Sequence, residues 1–71
     1  MLNYDELNRL IRTQVKANSP LSGDDNDDQI LVIYQSNALN VQKGVAFDGF
    51  KFYVVTYDSG NVTTEVYEKN A

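Results

Sequence analysis

Only one stretch of this chain carries a helical period, so its apolar stripe has no second helix to lie against. In LNYDELNRLIRTQVKANSP, Leu7, Leu10, Ile11 and Val15 recur at i, i+3, i+4 and i+8, which lines one side of a helix. Asn3 reads as the N-cap, and Glu6 completes a capping box with it. Leu2 and Leu7 have the spacing of a hydrophobic staple. Asp5 and Glu6 in the first turn and Lys16 in the last suit the helix dipole. Asn18 can adopt a left-handed C-terminal conformation, and Pro20 cannot continue a helix. These signals predict a helix over 4–17, followed by an acidic loop over 18–28.

The remainder reads as β. QILVIYQ (29–35) is β-branched and aromatic, as a strand requires. Further strands are expected over 44–47, 50–57 and 61–67. Between them, Asp48-Gly49 carries the dipeptide favoured in two-residue hairpin turns, which pairs Phe47 with Phe50 and Val45 with Phe52. Asp58-Ser59-Gly60 reads as a three-residue loop with Gly60 in a G1 bulge, which sets Tyr57 opposite Asn61. A two-residue Ser59-Gly60 turn would shift this register by one and bring Glu65 and Tyr67 onto the Phe52 face. Segment 36–43 is open among loop, helical turn and strand.

The expected architecture is α+β in two layers: one N-terminal helix packed on a three- or four-stranded antiparallel sheet, α-β-β-β or α-β-β-β-β. One sheet face collects Val45, Phe47, Phe50, Phe52 and Val54 and is expected to take the helix. The second face then presents Lys51, Tyr53, Val55 and Tyr57, with Tyr67, Thr63 and Glu65 from the last strand. In the first strand Ile30, Val32 and Tyr34 fall on one face and Leu31 and Ile33 on the other. A solvated antiparallel sheet alternates more cleanly than this, so either the chain itself or a partner is expected to cover part of the second face.

At 71 residues the chain makes one domain with a small core. It has neither cysteine nor histidine. Disulfide staples, Cys/His zinc sites, catalytic triads and histidine bases are therefore excluded. An enzyme is not expected, and no cofactor or obligate metal is implied. The longest apolar run, 30–34, is far below the ~20 residues of a membrane span. No leader pattern is visible at the start, so a cytoplasmic protein with no membrane partner is expected. The compactness is that of small bacterial or phage-encoded proteins.

The net charge is −4, and residues 21–71 carry eight acids against Lys43, Lys51 and Lys69. Direct nucleic-acid binding is not expected of such a chain, because phosphate affinity comes from Lys and Arg. Arg9, Arg12 and Lys16 share one side of the helix, where Asp5 and Glu6 can pair with Arg9.

Asp24, Asp25, Asp27 and Asp28 set four carboxylates within five positions. An EF-hand loop starting at Asp24 finds oxygen ligands in Asp24, Asn26 and Asp28, but Gln29 stands where glycine is needed and Gln35 where the bidentate Glu belongs. Calcium binding is thus an alternative with a partial ligand pattern. A second alternative is an acidic inhibitor that presents these carboxylates as phosphate mimics to a nucleic-acid enzyme. The plain reading is a solvated connector that satisfies its own backbone through Asx turns.

The leading expectation is a non-enzymatic interaction or regulatory module. It would self-associate as a homodimer or bind another protein through Tyr53, Val55, Tyr57 and Tyr67. Tyrosine suits such a face because it buries area while keeping a polar tip.

Overall fold

The computed structural model describes residues 1–18, 30–38 and 40–68. Helix α1 spans Tyr4–Asn18, and four strands follow: β1 Leu31–Asn37, β2 Val41–Phe47, β3 Lys51–Asp58 and β4 Asn61–Glu68. The strands form one antiparallel sheet in the order β1-β2-β3-β4. With α1 on one side, this is the two-layer α+β arrangement that the periodicities predict. The acidic loop lies outside the described residues.

The helix ends follow from local chemistry. Asn3 Oδ1 accepts from Glu6 N–H at 2.8 Å, and Glu6 Oε1 accepts from Asn3 N–H at 2.9 Å. This reciprocal capping box satisfies donors that the first turn leaves orphaned. Asn18 Nδ2 donates to the Gln14 carbonyl at the other end. Leu7, Ile11 and Val15 are fully buried.

Those three meet Ile30, Ala46, Tyr53 and Val55 in a single core cluster. The helix therefore covers the opposite sheet face from the one expected. Side chains alternate across a strand, so burying Ala46, Tyr53 and Val55 beneath α1 turns Val45, Phe47, Phe52 and Val54 to the other side. The reason lies in β2. Gly44 and Ala46 are small, and the helix settles into the shallow trough they make. A Cβ on Gly44 would overlap Ile11 Cδ1 and lie 2.6 Å from its Cγ1. No such trough exists on the Val45/Phe47 side.

Both hairpin registers also differ from expectation. The first turn is Gly49-Phe50, with Gly49 at φ +97° and Asp48 N–H bonded to the Lys51 carbonyl at 3.4 Å. Glycine at the first central position marks a type II′ turn. Phe47 accordingly pairs with Phe52 and Val45 with Val54. Phe50 leaves the strand and stands exposed at the turn. The shift of two residues preserves which side chains share a face.

The second turn is the two-residue Ser59-Gly60, at φ +50° and +94°, the two positive values of a type I′ turn. Asp58 pairs with Asn61 and Phe52 with Tyr67. The three-residue loop was expected because it kept Glu65 and Tyr67 off the core face. With α1 on the other side of the sheet from Phe52, that objection disappears.

The segment left open, 36–43, is strand at both ends: β1 runs to Asn37 and β2 begins at Val41. Strand β1 carries a bulge between Val32 and Tyr34. It puts Tyr34 opposite Val45 rather than in line with Val32, so Tyr34 joins Leu31 on the side of the sheet away from α1. The bulge also turns Gln35 toward the helix side, opposite Gly44. Both polar atoms of the Gln35 amide are buried without a hydrogen-bond partner among the described residues.

The seat of Ile11 on Gly44 predicts a coupled pair. Gly44→Ala is expected to lower stability by about 1–3 kcal/mol through overpacking. Adding Ile11→Val, which removes Cδ1, should recover part of that loss in a urea-denaturation cycle. Strictly additive losses would contradict this packing.

Candidate functional site

The helix-free face is built from two apolar rows across the sheet. In one, Leu31, Phe47, Phe52 and Tyr67 stand opposite each other in turn. In the next, Tyr34, Val45, Val54 and Glu65 do the same. Phe47 and Phe52 stack with ring centroids 4.6 Å apart. These two rings and the two valines are only half-buried, while Leu31, Tyr34 and Tyr67 are exposed. Beyond the apolar rows lies a polar one, Ser36, Lys43, Thr56 and Thr63. Tyr67 donates its hydroxyl to Glu65 Oε2 at 3.1 Å. That hydrogen bond, with the carboxylate charge beside it, raises the Tyr67 pKa above its ordinary value.

The four residues expected to form the docking surface do not share one. Tyr53 and Val55 are fully buried under α1, Tyr57 is half-buried on the same side, and Tyr67 lies on the opposite face. The physical reason is the trough at Gly44 and Ala46, which draws the helix to the tyrosine side. The signal for this was present in the strand VQKGVAF, where small residues alternate with Val45 and Phe47.

Tyr53 instead serves the fold. Its hydroxyl donates to Asp48 Oδ2 at 2.6 Å, and Asp48 Oδ1 accepts from the N–H groups of Phe50 and Lys51 at 2.8 Å each. Asp48 is 1% exposed, so these bonds compensate the removal of its carboxylate from water. The turn aspartate and the buried tyrosine thus lock the β2–β3 hairpin to the core. Gln42, also buried, holds the N-terminal segment. Its Oε1 accepts from Leu2 N–H at 2.8 Å, and its Nε2 donates to the Leu2 carbonyl and to Asn37 Oδ1.

A cleft of about 300 Å³ opens at the far end of the sheet, lined by Met1, Asn40, Gln42, Tyr57, Ser59 and Gly60. Its side chains include no carboxylate, and the Gln42 amide is already engaged. Among the described residues no group of three or more acidic, cysteine or histidine side chains is placed to hold a metal ion. Asp24, Asp25, Asp27 and Asp28, the candidates for electrostatic or calcium contact, lie outside the described residues. No described helix is long and apolar enough to cross a membrane. Comparison of the chain with protein-family models, curated proteins and solved structures gives no match.

The two tyrosines separate the faces experimentally. Tyr53→Ala should cost about 3–5 kcal/mol, as loss of a buried aromatic does. Tyr67→Ala, exposed in the single chain, should change chemical-denaturation stability by no more than roughly 0.5–1 kcal/mol. Equal losses would show that both rings are buried.

Proposed function

We propose that this protein is a non-enzymatic interaction module that docks through the helix-free face of its sheet. One observation carries the reading: Leu31, Tyr34, Val45, Phe47, Phe52, Val54 and Tyr67 form a contiguous apolar surface that no described part of the chain covers. Isolated apolar residues on a surface are ordinary, but a continuous patch rimmed by polar side chains marks an interaction site. Here the rim is Ser36, Lys43, Thr56 and Thr63 on one side. Aromatic anchors at the centre and charge confined to the margin are the composition of a protein interface.

The packing chemistry supports the same reading. An antiparallel sheet solvated on one side normally shows polar residues there. This one places two phenylalanines and two valines at its centre.

Photocrosslinking in the native cells tests this. A benzophenone side chain installed at Val54 should yield a protein adduct, and the same group at Thr13 on the exposed side of α1 should not. Absence of any Val54 adduct, with the protein folded and expressed, would refute the docking face.

A further inference from the structure

We infer that the occupant of this face is a second copy of the chain, seated face to face about a two-fold axis; the inference rests on the docking reading above. The first support is area. Tyr34 and Tyr67 are 55% and 50% exposed, and aromatic side chains bury about 150–250 Å² when covered, so each offers roughly 100 Å². Leu31, at 61% exposure, adds a comparable amount. With smaller remainders from Val45, Phe47, Phe52 and Val54, one copy offers about 500 Å², and a symmetric pair about 1,000 Å². That is the lower bound of a specific interface. It is too small for an obligate dimer and falls among weak, transient associations.

The second support is shape. The face alternates a bulky row containing Phe47 and Phe52 with a slimmer row containing Val45 and Val54. A two-fold axis running across the strands between these rows sets the bulky row of each copy over the slim row of the other. Sheets paired this way lie about 10 Å apart with interdigitated side chains. A second copy brings an apolar surface of matching size.

Charge opposes the pairing at long range and so gives the proposal a signature. Glu65 ends the Val45/Val54 row on β4, and Lys43 lies in the neighbouring polar row on β2, so the face itself presents both signs. Each whole chain carries −4, and two copies therefore repel at long range. Salt screens that repulsion, so self-association tightens as salt rises. A contact between the acidic residues and a Lys/Arg-rich partner would weaken instead.

Analytical ultracentrifugation of the full chain from about 1 to about 500 µM, with and without added salt, reads this directly. The expected result is a shift from 8.0 kDa toward twice that mass with a Kd of roughly 10–100 µM, tighter at high salt. Leu31→Lys and Val54→Lys should each weaken it at least about tenfold, while Thr13→Lys leaves it unchanged. Leu31 is exposed in the single chain, so its variant keeps the test readable even where Val54→Lys unfolds. A wild-type chain that stays monomeric at the highest concentration overturns the second copy. If Val54 then still crosslinks to a different protein, the docking face stands and only its occupant is wrong. A dimer that both lysine variants leave intact associates elsewhere and overturns this interface.

Discussion

The close approach of Ile11 to Gly44 is the contact on which the rest of the structure depends. It exists because β2 carries glycine and alanine at two successive positions of one face. A helix can come down only where the sheet leaves room, and packed interiors resist even one extra methylene. Once α1 is seated there, the parity of every strand is assigned. Tyr53, Val55 and Ala46 go inward, and Val45, Phe47, Phe52 and Val54 go outward. The candidate docking face is thus a consequence of where the helix found its trough.

The polar groups beneath the helix reinforce that choice. Tyr53 is amphipathic, and burying it demands a partner for its hydroxyl. Asp48 provides one, and the same carboxylate closes the turn that follows β2. Gln42 fixes the segment leading into α1 to the same sheet face. A phenylalanine-rich face could have been covered without any such arrangement. The tyrosine face could not, and the presence of these matched partners explains why covering it is tolerated.

Much of this was legible in the sequence. Asn3 and Glu6 marked the helix start, and the Leu7–Ile11–Val15 stripe marked its buried side. The Gly-containing turns marked both later hairpins, so the α+β class followed from local chemistry alone. The sharing of a face by Val45, Phe47, Phe52 and Val54 was also legible, because alternation is a property of any strand. What was not legible was which face the helix takes. Hydrophobicity argues for the phenylalanines, whereas steric fit argues for Gly44 and Ala46, and fit decided. The two-residue turn at Ser59-Gly60 is compatible with that choice, since its register places Glu65 and Tyr67 with Phe52 on the side away from the helix. The bulge at Ile33 was hidden for a related reason: an apolar run such as Ile30–Tyr34 has no polar position to reveal a change of parity.

Nuclear Overhauser contacts from the Ile11 δ1 methyl test the central claim most directly. The account predicts strong contacts to the Gly44 α protons, within the cluster that Ile11 shares with Tyr53 and Val55, and none to the Phe52 ring. Contacts from that methyl to Phe52 and Val54 in place of Gly44 would contradict it, because the helix would then lie on the phenylalanine face of the sheet.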